Sequence, residues 1–199
     1  VFIGEIIAGS GVDADVTVTA EDGEIGDVLA TPGDNIIGDV VTLIAESGIG
    51  DFNGDDIDTV ANTLVLTSDE GDIDIDELDE VEVATAMTSG NITIESGDTM
   101  TVTGPVTTEA GAEPGGDILL MTDAGSIMLM GPVTADTSGE IDIDAFETVH
   151  VHDEVMSGSG NITVRGRGDD GIGAGVHHAG SSNGANTDGN ITTTGVITV

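Results

Sequence analysis

The chain has 199 residues, 38% of them hydrophobic, with 31 Gly, four Pro, no Cys and three aromatic side chains, Phe2, Phe52 and Phe146. Its 39 acidic residues face two basic ones, Arg165 and Arg167, and the formal net charge is −37. Such a polyanion repels nucleic acid and anionic membrane surfaces and gathers cations; no disulfide can form, and no apolar run is long enough for a membrane-spanning helix.

A core of Val, Ile, Leu, Ala and Met with so little aromatic bulk suits a narrow, layered interior. Gly between short β-branched runs marks frequent tight turns. In chain order, residues 1–70 form a less regular stretch in which residues 15–19, 40–44 and 63–67 read as strands. From 71 to 165 a unit recurs. It opens Gly71-Asp72-Ile73-Asp74-Ile75, then Gly90-Asn91-Ile92-Thr93-Ile94, Gly116-Asp117-Ile118, Gly139-Glu140-Ile141 and Gly160-Asn161-Ile162. A further copy opens at Gly189-Asn190-Ile191-Thr192, and the successive spacings are 19, 26, 23, 21 and 29 residues. A second alternating run follows about ten residues after the first four of these glycines, at 81–83, 100–102, 127–129 and 149–151. A third is Gly104-Pro105-Val106-Thr107, echoed by Gly131-Pro132-Val133-Thr134. Residues 77–86 could be forced into a helix, but Val81 and Val83 favour a strand.

Three short strands per repeat predict an all-β chain, a right-handed parallel β-helix (β-solenoid) of about nine or ten coils of roughly 20 residues. The expected organisation is one solenoid over 1–199. Its regular coils span 71–165, a Gly-rich excursion 166–188, and a final partial coil 189–199. Coils about 4.8 Å apart make a rod roughly 45 Å long carrying about one net charge per 1.2 Å, denser than duplex DNA at about one per 1.7 Å.

The stretch Leu43-Ile44-Ala45-Glu46-Ser47-Gly48-Ile49-Gly50, then Leu64-Val65-Leu66 and Gly71-Asp72-Ile73-Asp74-Ile75, resembles the repeats of filamentous-haemagglutinin-like giant adhesins. Residues 90–108, with their Gly-Asn-Ile-Thr-Ile and Val-Thr-Gly-Pro-Val-Thr-Thr phrasing, are similar to the same repeats. The resemblance covers about residues 15–165. It implies a right-handed parallel β-helix, secretion and a role at a cell surface or in a matrix. The chain departs from that family in its acidity and missing Lys.

Several constellations could carry chemistry. Asp51, Asn53, Asp55, Asp56 and Asp58 alternate oxygen ligands around Gly54 as a Ca²⁺ loop does, although the spacing is not that of an EF-hand. Outward acidic ladders are expected at Asp72, Asp74 and Asp76 and at Glu140, Asp142 and Asp144. His150 and His152 should share one outward strand face, where two His can ligate a metal and a solvated pair is the simpler reading. The runs Ile118-Leu119-Leu120-Met121 and Ile127-Met128-Leu129-Met130 lose their alternation. Leu119, Met121, Met128 and Met130 are therefore expected to point outward as an assembly patch. Asn91, Asn161 and Asn190 lie in Asn-Ile-Thr sequons and are candidate glycosylation sites; alternatively, Asn after Gly suits a corner at which stacked side chains hydrogen-bond. Both chain ends are apolar, at Val1, Phe2 and Ile3 and at Val196, Ile197 and Val199, which suggests end-to-end stacking into open filaments.

No nucleophile elbow, phosphate loop or dinucleotide fingerprint is present, so an enzyme is not expected. The reading is a structural extracellular protein, an acidic solenoid of a surface fibre or matrix. Its partners are further copies of itself or flanking coils, and cations. It requires no cofactor, Ca²⁺ being the candidate ion, and it neither binds nucleic acid nor inserts in a membrane. The alternatives are an adhesin module recognising a glycan and a polysaccharide-active β-helix.

Overall fold

The computed structural model describes residues 1–9, 14–28, 35–50, 56–109 and 116–168, with the strands Val176–His178, Ile191–Thr192 and Ile197–Thr198. Every regular element among them is a strand. Alternation decides the inside: in Ile73–Glu77 the residues Ile73, Ile75 and Glu77 are buried, while Asp74 and Asp76 face outward and are half-exposed. The same period of two recurs in Ile92–Ser96, Ile118–Thr122 and Ile162–Gly166, as strand geometry requires.

One coil contains three strands, for example Ile118–Thr122, Ile127–Leu129 and Val133–Ala135. Each pairs in parallel with its counterpart in the next coil, Ile141–Ala145, Val149–Val151 and Val155–Ser157. The result is a β-solenoid with three flat faces, called here first, second and third in chain order. In the earlier coils a strand runs straight through a corner, as in Ile36–Ala45, Ile57–Ser68 and Val81–Thr88. One irregularity, opposite Leu64 and Val65, leaves Ala84 as the extra residue. The segment weighed as a helix is a strand from Val81 onward.

The core is a stack of identical rungs. Ile25, Ile49, Ile73, Ile92, Ile118, Ile141 and Ile162 occupy equivalent positions of the first face in successive coils, and the backbone of Ile197 pairs with that of Ile162. The body comprises about six turns of about 23 residues. This corrects the expected nine or ten shorter coils. Loops at the corners lengthen the repeat, so that Ile25 to Ile49 takes 24 residues and Ile92 to Ile118 takes 26, against 19 from Ile73 to Ile92.

A second difference concerns the last repeat. The phrase at Gly189 was expected to open a coil as the one at Gly160 does. Instead Ile191 pairs with Val155 on the third face, and the partner of Ile162 is Ile197. The expected Gly-rich excursion also supplies a rung, because Val176–His178 pairs with Val149–Val151.

The corner between the third and first faces explains the Gly-Asx phrase. A Cβ added to Gly90, Gly116, Gly139 or Gly160 would lie 2.0–2.3 Å from the carbonyl oxygen of the glycine one coil before it. Only glycine lets the backbones stack this closely. The residue that follows bridges the coils with its side chain. Asp72 Oδ1 accepts the Asn91 N–H at 2.6 Å, Asn91 Oδ1 accepts that of Asp117 at 2.9 Å, and Asp117 Oδ1 accepts that of Glu140 at 2.7 Å. From inside, the Thr108 hydroxyl donates to the Gly116 carbonyl at 2.8 Å and the Ser157 hydroxyl to that of Gly139 at 2.7 Å. Polar backbone at a buried corner is thereby satisfied.

Gly139→Ala should therefore destabilise the solenoid by about 3 kcal/mol or more, since the clash is with backbone and cannot be relieved by a rotamer. Chemical denaturation followed by circular dichroism measures it. A loss below about 0.5 kcal/mol would show that the stack relaxes freely.

Candidate functional site

The outer surface of the first face is an acidic column. Asp58 aligns with Asp76, Asp76 with Glu95, Glu95 with Met121 and Met121 with Asp144. Partial burial raises the Asp76 carboxyl above its ordinary range, and the charges of Asp56 and Asp123 push the same way. Glu95 is raised likewise, by burial first and then by Asp76, Asp123 and Asp56. Like charges stacked on adjacent strands repel. Met121 and, at the neighbouring outward position, Leu119 interrupt the columns, so the anionic run is broken where the apolar coil crosses it.

Of the candidate Ca²⁺ loop, Asp51, Asn53 and Asp55 lie outside the described residues. The stretch sits between Ile49, which pairs with Ile73, and Ile57, which pairs with Ile75. Asp56 and Asp58 are half-buried beside it. Among the described residues no three His, Asp or Glu side chains are grouped to hold a metal ion.

One expected outward acid is in fact buried. Asp144 is 6% exposed because the next coil places the chain's two arginines over it. Arg165 Nη1 lies 3.0 Å from Asp142 and 3.5 Å from Asp144, and Arg167 Nη2 contacts Asp144 as well. Asp144 Oδ1 is buried without a hydrogen-bond partner. The arginines thus neutralise an inter-coil carboxylate rather than stand free.

His150 and His152 lie on the same side of their strand with ring centroids 6.3 Å apart and nearly parallel planes. His177 aligns with His150 on the following coil. The four expected patch residues form a belt one coil wide rather than a sheet-like patch. Leu119 and Met121 belong to the first face, Met128 to the second, and the exposed Met130 to the corner beyond it. Polar rungs flank them, Thr93 and Asp142 on either side of Leu119 and Thr101 and His150 on either side of Met128.

Asn91 and Asn161 are exposed. Asn161 Nδ2 donates to Glu140 Oε1 at 2.9 Å, so both serve the inter-coil bridge described above. Asn190 lies outside the described residues. Of the apolar residues at the N-terminal end, Val1 and Phe2 are exposed and Ile3 is a core residue at 3% exposure. Val196 and Val199 fall outside the described residues, and Ile197 is placed by its backbone pairing with Ile162.

Two features escaped the sequence reading. The first is Glu77, a carboxyl with no exposed surface. It occupies the inward position held by Ser96 in the next coil. The first-face ladder ends at Thr59 opposite Glu77, and the next pairing of Ile57–Ser68 with Val81–Thr88 starts at Thr63 opposite Glu82. The Glu77 side chain fills the gap. It accepts the Thr59 hydroxyl at 2.6 Å and the N–H groups of Ala61 at 3.0 Å and Asp79 at 3.3 Å. Burial pushes its pKa up to about 7; the hydrogen bonds oppose the shift, and the Asp79 charge adds a little to it. The parity of Ile73-Asp74-Ile75-Asp76-Glu77 does place Glu77 inside, which is the signal that could have found it.

The second is an open groove of about 430 Å³ next to this corner. Ile37, Gly38, Val60 and Ala61 form part of its lining, with Asp39, Asn62, Asp79, Glu80 and Asp98 as its polar members. Asn62 Nδ2 donates to Asp39 Oδ1 at 2.7 Å. No protein-family model matches the chain, and no curated protein or solved structure matches it either.

Glu77 makes stability depend on pH. Between its unfolded value near 4.5 and about 7 the folded chain holds the proton more tightly than the unfolded chain. Its contribution is therefore fully favourable below that window and lost as pH rises through 7. Glu77→Gln should raise stability by about 2 kcal/mol at pH 8 and leave it nearly unchanged at pH 4.5. Denaturation midpoints across this range check it; equal effects at both ends would remove Glu77 as the titrating group.

Proposed function

We propose that the chain is a structural extracellular element, an acidic β-solenoid that builds a surface fibre or matrix and assembles as cations screen it. The observation that supports this reading is the charge carried per rung. About 23 residues per coil, with −37 over 199 residues, leave about four net charges on each coil. At about 4.8 Å per coil this is about one charge per 1.1 Å, above the density of duplex DNA. Counter-cations must condense on such a rod, and contact between rods requires them. The adhesin-like repeat phrasing and the architecture of a stacked, regular solenoid agree with a stalk or fibre role.

Sedimentation velocity in 20 mM and 1 M NaCl, and in CaCl₂ at matched ionic strength, tests the reading. Assemblies should grow as cations are added, and the melting temperature should rise alongside. A protein that stays monomeric in every condition overturns cation-dependent assembly.

The acidic groove supports a second reading, a module that binds a glycan by accepting hydroxyl hydrogen bonds at Asp39, Asp79, Glu80 and Asp98. Glycan-array binding that Asp79→Ala and Asp98→Ala abolish would favour it over a purely structural role.

A further inference from the structure

The third face differs from the other two in its charge. Its outer column runs Thr19, Ile44, Thr67, Met87, Thr107 and Thr134, in register from coil to coil. It continues to Met156 without an ionisable group. The neighbouring outward column is Thr17, Thr42, Val65 and Thr85. Pro105 and Pro132 extend it, their carbonyls accepting the N–H groups of Ala86 and Val106. No charge enters this column until Glu154 in the seventh coil, whose carbonyl accepts the Val133 N–H. Ile44 and Met156 are 40% and 37% exposed. The first face carries Asp74, Asp76, Glu95 and Asp142 at the corresponding outward positions.

On a chain of net charge −37, two adjacent outward columns that stay uncharged over six rungs, one of them over seven, are a selective feature of the surface. A like-charged copy cannot approach the acidic first face without stacking carboxylates against carboxylates. Across the first six rungs of the third face it meets Thr hydroxyls and methyls, Ile, Val, Met and Pro, which pack and hydrogen-bond without separating charge, and Glu154 lies at the far end. We infer that the third face is the lateral contact between two copies of this chain, laid face to face in an isologous pair. This inference rests on the assembly reading above and names the surface that would carry it.

Size and rim set the strength of the contact. Seven rungs at about 4.8 Å, with strands of five residues narrowing to three and so about 10–17 Å long, give about 300–500 Å² per copy and at most about 1,000 Å² in total, at or below the lower edge for specific interfaces. Exposed Glu21, Glu46, Asp69 and Glu109 follow the face along one border, and two such borders repel until salt screens them. The pairing is therefore weak in low salt and strengthened by it, and longer stacks of coils would add contacts in proportion.

The test is sedimentation equilibrium in 1 M NaCl on the wild type, on Met87→Glu/Thr134→Glu, and on Thr93→Glu/Thr163→Glu, which adds the same charge to the first face. Wild type and first-face variant should dimerise with dissociation constants within about threefold of each other, and the third-face variant should dimerise at least tenfold more weakly. As a second measurement, Thr107→Cys in this cysteine-free chain should give a disulfide-linked dimer on mild oxidation, and Thr93→Cys should not. If the wild type assembles but both charge variants weaken it equally, or both cysteines cross-link alike, the third face is not the contact while the assembly reading stands. If the wild type stays monomeric, both fall, and an uncharged non-protein surface becomes the occupant to seek.

Discussion

Everything in this fold depends on how closely one coil can lie on the next at the corner between the third and first faces. A side-chain carbon on Gly116 or Gly139 would overlap a carbonyl oxygen of the coil before. Where the backbones pass that closely, side chains and carbonyls are drawn into a ladder: Asp72, Asn91 and Asp117 each accept an N–H from the coil that follows. This fixes the register of Ile73, Ile92, Ile118 and Ile141, each two residues after its corner glycine. Inward side chains of successive coils then fall on one another, and the core is built by repetition rather than by a jigsaw of large aromatics. The near-absence of aromatic residues follows from the same constraint, since a narrow interior filled at every rung has room for Ile, Val and Leu but not for rings.

The same stacking that builds the core works against the charge. Parallel register brings equivalent outward residues within about 5 Å of each other, so any acid repeated at one position becomes a column of repelling carboxylates. The chain distributes that burden. Along the first face Thr93 separates Asp74 from Leu119, and Met121 separates Glu95 from Asp144. Arg165 and Arg167 sit on the single acid that the column buries. At the corner, the acids Asp72 and Asp117 alternate with Asn91, and each finds a backbone N–H to accept. What remains is left to counter-cations.

Much of the fold was legible because strand parity is local. Ile73-Asp74-Ile75 states its inside and outside within three residues, and the glycine before it announces the corner. The number of coils was not legible, because corner loops change the repeat length without disturbing the phrase. The copy at Gly189 shows the limit: Gly-Asn-Ile-Thr is a corner phrase that serves more than one corner, and Ile191 aligns with Val155. Properties that depend on register across coils were equally hidden. The burial of Asp144 needs Arg165 one coil away, and the uncharged third face consists of residues about 20 or more positions apart that no window of sequence brings together. Glu77 was readable by parity but not by residue type, since carboxylates are placed outside by default.

Three faces with one backbone geometry have thus been given three surfaces. The first concentrates acid, the second mixes Glu82, Thr101, Met128 and His150 along one column, and the third keeps charge out of its two outward columns until Glu154. Solubility alone would be served by spreading acids evenly, and a random scatter of 39 acids in 199 residues would place one in about every fifth outward position. Two adjacent columns that stay uncharged through six coils depart from that. In a solenoid a face persists only if the same restraint is kept at every repeat, so the contact proposed for this strip is one made along the length of the rod rather than at one point. Glu77 lies off that strip, at the corner where the ladder is broken, and tunes the stability of the stack with pH without altering the surface the stack presents.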